Sequence, residues 1–361
     1  MATEAAVGPT ERDDLATRLR AALFPGPWSG ALTVVLGLVA AWALWRIADW
    51  ALLGAVFAPD YASCRALDYR HACWGFVAEK HRLILFGRYP HAEQWRPLIA
   101  MLVVFAALVV TALPRFWSRR LIAVWTVALG VFFVLMRGGV AGLAPVETAQ
   151  WGGLPLTVLL TLVAMVASIP IGGLLALGRR STLPLVRTLC TAYIELVRGV
   201  PLITVLFVAS FVFPLFLPPG WRTDPLARVL AGLTLFQAAY FAETLRGGLQ
   251  AIPAGQYLAA RALGLRYWGL HAHVILPQAF VHVIPAFVNS LLSTFMDTSL
   301  VTVVSMYDLT GSLRLALGDP LWRAFFIEGY AFIGAIYFAG CLAMSRYSRW
   351  LERRLARGVR R

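Results

Sequence analysis

The sequence predicts an all-α, multi-pass transmembrane helical bundle, and three observations carry that expectation. Of its 361 residues, 60% are hydrophobic and only 14% charged, with a mean hydropathy of +0.72; soluble domains carry about 25% charged residues. The apolar residues gather into runs close to the roughly 20 residues that a helix needs to cross a bilayer. One polar-and-small island, Pro253 to Pro277, interrupts that rhythm. The net charge of +14 is scattered between apolar runs. Such scatter suits anchoring on an anionic leaflet rather than a nucleic-acid groove, and the chain holds no nucleic-acid-binding motif.

Eight spans follow in order. Residues 1–30 mix Glu, Asp and Arg and read as a cytoplasmic segment without a cleavable signal, because the apolar run after them exceeds a signal h-region of about 7–15 residues. The first span, Ala31 to Phe57, holds Arg46 and Asp49, three apart and so placed to pair on one face. A polar loop, residues 58–97, separates it from the second span. That span, Leu98 to Leu113, and the third, Leu121 to Met136, are short and lean on flanking Trp95 and Trp117. Residues 31–152 thus form an N-terminal extension, ending where RGGVAGLAPVETAQWGG breaks the apolar pattern with Gly and Pro. Residues 153–350 hold the remaining five: Leu154 to Leu177, Val200 to Leu217, Leu226 to Leu245, Val281 to Val304 and Ala324 to Met344. A basic tail, 351–361, ends the chain.

Arginine placement sets the expected orientation. With the N-terminus inside, the inner segments carry Arg12, Arg18, Arg20, Arg115, Arg119, Arg120, Arg179, Arg180, Arg187, Arg198, Arg246, Arg261, Arg266 and the tail. The outer ones carry mainly Arg137, Arg222, Arg228, Arg314 and Arg323, apart from the long loop 58–97, which translocates with less regard to charge. Both termini and the island then lie in the cytoplasm.

The island reads as two short helices, Ala254 to Leu263 and Arg266 to His273. Pro253 suits a first helical position, Gly264 a left-handed end, and Pro277 the start of the next segment. Together they make a rigid knob outside the hydrocarbon. Ala259 and Ala260 allow a partner surface to approach closely.

Few other residues suggest chemistry. Cys64 and Cys73 share the polar loop and form a disulfide if it faces an oxidising compartment; a metal site with His71 is the lesser alternative. Glu195 and Arg198, three apart, read as an interfacial ion pair or as a polar pair at the end of a pathway. Glu243, three residues before Arg246, reads most simply as an interfacial cap. Asp297, Thr298 and Ser299 interrupt the seventh span, where an acid should face protein or a water-filled cavity. With Gln237, Glu243 and Asn289 they are candidates for the wall of a translocation pathway for a zwitterion. No Ser/His/Asp set, catalytic carboxylate pair or membrane metal motif is present. The only lysine, Lys80, lies in VAEKH, and no G-x-x-x-x-G-K-[ST] loop accompanies it.

The island also resembles the EAA loop of binding-protein-dependent ABC importer permeases. Ala259, Ala260, Gly264, Leu276 and Pro277 match the motif, Val274 stands at its Ile and Leu258 at its Glu. RSTLPLVRTLCTAYIELVRGVPLI before the island and NSLLSTFMDTSLVTVVSMYDLT after it resemble the polar-amino-acid subfamily, over about Gly153 to Trp350. GRYPHAEQWRP is similar to the N-terminal part of general L-amino-acid permease subunits. The resemblance implies a type I ABC importer permease core in the bacterial inner membrane, not itself an enzyme. It implies coupling through Ala259, Ala260, Arg261, Gly264, Leu276 and Pro277 to separate ATPase subunits that carry ATP and Mg, so this chain needs no cofactor of its own. A second permease subunit and a periplasmic amino-acid-binding protein would complete the complex, with surrounding lipid as a further partner. A secondary transporter or channel working without an ATPase is the competing expectation; a membrane-embedded enzyme lacks a catalytic constellation.

Overall fold

The computed structural model describes residues 23–67, 70–118, 120–218, 220–221 and 223–359, with backbone only for 355–359. Arg12, Arg18, Arg20, Arg119, Arg222, most of segment 1–30 and the end of the tail lie outside the described residues. The chain divides into two compact units, residues 1–78 and 79–361. That break falls inside the expected extension rather than at residue 152.

In the first unit, α1 (Pro27–Ala48) runs on through a π-turn, Asp49–Leu53. Arg46 and Asp49 share a stretch of surface, yet no ion pair within 4 Å joins them among the described residues. The chain then folds into a small knot. Asp60 caps α2 (Tyr61–Ala66), accepting from the backbone N–H groups of Ala62 and Ser63. The Ser63 hydroxyl and those amides hold the Asp60 carboxyl below its ordinary range. Cys64 and Cys73 are joined as a disulfide with Cα atoms 5.4 Å apart. Val56 N–H donates to the Ala72 carbonyl, and Trp74 Nε1 donates to that of Ala51 at 2.7 Å.

The second unit holds the bundle. After α3 (Gly75–Phe86), whose first turn lies in the first unit, come α4 (Trp95–Ala112) and α5 (Arg120–Arg137), packed together. Arg96, 0% exposed, fastens them: its Nε donates to the Leu135 carbonyl and its Nη1 to that of Ala144. The most extensive packing joins α6 (Gly153–Arg179) to α9 (Pro225–Gln250). A Cβ at Gly172 would stand 2.6 Å from the Ala238 carbonyl oxygen, so only glycine lets these backbones approach so closely. One apolar core spans Val104, Phe132, Trp151, Leu160 and Leu233, and a second gathers Ala176, Leu245, Ala260, Ile275 and Ala279.

The fifth span differs most from expectation. Leu202–Phe207 (α8) continues as a π-turn and a 3-10 turn only to Phe216, and it meets α7 (Pro184–Gly199) at a 108° bend. Gly199 and Pro201 flank the bend, glycine weakening one helix end and proline unable to continue the ladder. Among the described residues seven helices are long and apolar enough to span a membrane, and they are eight, as expected, if the bent pair counts as one span.

Past α10 (Ala254–Ala262), α11 (Tyr267–Leu270) does not end at His273. It runs through a π-turn, His271–Ile275, straight into α12 (Leu276–Asp297). Pro277 ought to break that continuity, because its ring clashes with the carbonyl four residues back. The wider π-turn just before it relaxes that clash. A 3-10 stretch, Thr298–Val304, and α13 (Leu309–Ala316) lead to α14 (Phe326–Val359).

Candidate functional site

The knob forms as a sharp elbow. Gly264 has φ +78°, the left-handed conformation that glycine adopts without penalty. Its N–H donates to the Arg261 carbonyl at 2.9 Å, and Leu265 N–H donates to that of Ala260 at 3.2 Å. This is a Schellman end, which satisfies carbonyls that α10 would otherwise leave open. Pro253 stands one position earlier than expected, as the N-cap. Ala260 is buried against the second core, whereas Ala259, Arg261 and Pro277 are exposed and Leu276 is half-buried. Gln278 ties the elbow back, donating from Nε2 to Gln256 Oε1 and to the Val274 carbonyl. His271 packs inward against Tyr267 while His273 faces out.

The elbow lifts apolar side chains into the open. Leu263 is 81% exposed, and Leu258, Tyr267 and Trp268 are exposed beside it. A cleft of about 720 Å³ lies alongside, lined by Arg180, Ser181, Tyr257, Arg261, Trp268 and His271 among others. The tip is apolar and its rim basic and aromatic, the residue types that protein interfaces favour.

Above the elbow lies a charge network of which the sequence reading marked only the Glu243–Arg246 spacing. Glu195 and Arg198 do not pair with each other. Arg179, at the end of α6, reaches Glu195 at 2.7 Å and Glu243 at 3.1 Å, and Arg198 reaches Glu243 at 3.6 Å. Arg246 pairs with the other Glu243 oxygen, and the Arg198 guanidinium lies over the Tyr240 ring. Glu243 is therefore the hub joining α6, α7 and α9 rather than a local cap. Three-residue spacing suggested partners within one helix; packing of α6 against α9 brought Arg179 in from another.

The pathway candidates divide between buried and exposed positions. Gln237 is buried in α9, and Thr298 is buried with its hydroxyl donating to the Phe295 carbonyl. Asn289, Ser293 and Met296 are exposed along one face of α12, and Asp297 and Ser299 are half-buried below them. Asp308, unmarked in the sequence reading, is fully buried, caps α13 through Gly311 N–H and accepts from the Tyr337 hydroxyl at 3.0 Å. Burial pushes its carboxyl up from the ordinary range. The D-x-T-G run at Asp308 to Gly311, a cap before an apolar helix, was its available signal.

Spans, elbow and charge network together describe a multi-pass membrane protein with a structured polar loop. The chain belongs to the binding-protein-dependent transport system inner membrane component family, which it matches over residues 168–357. It is 44% identical to the inner membrane amino-acid ABC transporter permease protein YhdY of Escherichia coli, covering 92% of this chain and 90% of that protein. It is 37% identical to the glutamate/glutamine/aspartate/asparagine transport system permease protein BztC of Rhodobacter capsulatus, covering 95% and 94%. Among solved structures, the crystal structure of an amino acid ABC transporter with histidines matches with a TM-score of 0.50 at 30% identity, covering 56% of this chain and 92% of that one. Family membership sets aside the stand-alone secondary transporter or channel and the membrane-embedded enzyme. This is an all-α, multi-pass inner membrane permease subunit.

Proposed function

We propose that this permease imports L-amino acids and is driven through its elbow by a separate ATPase that carries ATP and Mg. The observation that carries the coupling role is the Schellman elbow at Gly264, which presents Leu258, Leu263 and Trp268 as a rigid apolar tip. The names of the relatives YhdY and BztC support amino acids as the cargo. A periplasmic binding protein delivers substrate, and a second permease subunit closes the pathway. That partner meets the α12 face of Asn289, Ser293 and Asp297, because polar groups at membrane depth need protein or water against them. Substrate ammonium and carboxylate groups meet Asp297 and Asn289 there, with Ser299 beside them, while Gln237 and Thr298 support the wall from behind. Glu243 and its arginines stand at the pathway's cytoplasmic end and link α6, α7 and α9 to the elbow's motion.

The test is uptake by vesicles holding this chain with its co-expressed ATPase and binding protein. ATP-dependent accumulation of labelled L-amino acids, absent with labelled sugars, is the expected result. Uptake that persists without the ATPase would overturn the reading.

A further inference from the structure

A second cleft, of about 470 Å³, opens on the spanning face between the bent pair and α9. Its walls are almost wholly apolar, among them Val197, Val200, Val205, Val208, Ala231 and Leu235. That volume lies within the roughly 300–1,000 Å³ of ordinary ligand sites.

One end of the cleft is cationic. Arg228 lies on the first turn of α9, and its Nη1 donates to the Ser210 carbonyl in the π-turn below α8. Its Nε and the Thr223 hydroxyl oxygen, both on the cleft wall, are buried without a hydrogen-bond partner among the described residues. A guanidinium with donors to spare calls for an anion. Asp224, the acid nearest to it in sequence, is already engaged: one oxygen caps α9 and the other accepts from the Thr148 hydroxyl.

The depth of Arg228 selects the anion. It stands three residues inside the start of a 26-residue helix apolar enough to span, a position from which an arginine side chain can reach the head groups. Trp221, 70% exposed, and exposed Phe213 and Phe216 lie at the same end, as an interfacial aromatic belt does. No carboxylate lines the cleft to hold an ammonium, which speaks against an amino acid as occupant.

We propose that this cleft binds an anionic phospholipid, its acyl chain lying between the bent pair and α9 and its phosphate meeting Arg228 and Thr223. The proposal rests on membrane insertion alone and stands or falls separately from the transported substrate.

The test uses the full chain in neutral detergent, with phosphatidylglycerol and phosphatidylcholine of matched chains compared by native mass spectrometry. One arginine near a membrane surface contributes about 1 kcal/mol toward an anionic lipid, so retention should favour phosphatidylglycerol by about fivefold. Arg228→Gln should bring the two lipids to parity, and Ala231→Phe, filling the slot, should release both. Arg187→Gln, elsewhere on the surface, should leave the preference intact. Glycerol phosphate without chains should not compete. Equal retention by the unaltered protein would overturn the proposal, as would a preference that survives Ala231→Phe. Competition by glycerol phosphate would reduce the cleft to a simple anion site. Ala231 is exposed and holds no core packing, so its variant decides the matter even if Arg228→Gln does not fold.

Discussion

At Gly264 the constraint is conformational rather than steric. A Cβ there would meet nothing within 4 Å, so the whole penalty of a side chain comes from φ +78°. For an ordinary residue that costs about 1–2 kcal/mol, and more for a β-branched one. Gly264→Val should therefore abolish uptake and weaken co-purification of the ATPase while leaving membrane insertion unchanged. Gly264→Asn, which tolerates the left-handed region, should retain most of both. Leu258→Glu should also be tolerated, because the side chain is exposed. Normal uptake by Gly264→Val with the ATPase still bound would remove the elbow from the coupling role. Glu243 makes a different kind of prediction. Glu243→Gln and Arg179→Ala should each lower the thermal midpoint in detergent, and the double variant should lose less than the sum. A coupling of about 0.5–1 kcal/mol is expected for pairs this accessible. Glu195, 57% exposed, should contribute least. Strict additivity of Glu243→Gln and Arg179→Ala would mean that the hub is a geometric arrangement without energetic weight.

Among the elements, the disulfide knot of the first unit can be tested directly. Cys64 and Cys73, nine residues apart, close a small loop whose bridge contributes about 2–3 kcal/mol by restricting the unfolded chain. Non-reducing peptide mass mapping should recover the linked pair, and Cys64→Ser should leave the loop markedly more sensitive to protease. Two free thiols after oxidising purification would contradict this. The elements differ in how far the sequence foretold them. The span of α6 was legible because one long apolar run has few alternatives in a bilayer, and the elbow because Gly264 punctuates an otherwise helical pattern. The continuity from Tyr267 into α12 was not legible. Proline normally ends a helix, and nothing local announces the π-turn that accommodates Pro277. The bend at Gly199 to Pro201 was half-visible, since the two residues mark a break but not its 108° angle. The partners of Arg179 were hidden altogether, because they depend on which helices pack and not on spacing along one of them.

For the whole second unit, side-chain contacts sort the loops into two ends. Lys80 pairs with Asp319 at 2.9 Å, and Thr148 meets Asp224, gathering α3, the α5–α6 loop, the start of α9 and the approach to α14 at one end. At the other end Tyr347 reaches the Thr111 carbonyl, and Gln278 reaches Gln256 beside the elbow. Between residue 80 and residue 256 four unbroken helices cross: α4, α5, α6 and α9. Four crossings would return the chain to its starting side. The two positions fall on opposite sides only if the bent pair, α7 with α8, makes a fifth crossing. The arginine bias predicts that the elbow's side is the cytoplasm. Single cysteines placed at exposed Glu79 and exposed Gln256, with Cys190 and Cys341 replaced by serine, report on both statements at once. In intact cells an impermeant maleimide should label position 79 and spare position 256, and inverted vesicles should give the reverse. Labelling of both positions from one side would make the bent pair a re-entrant loop. Labelling of position 256 from outside alone would invert the molecule and leave the elbow with no ATPase to meet.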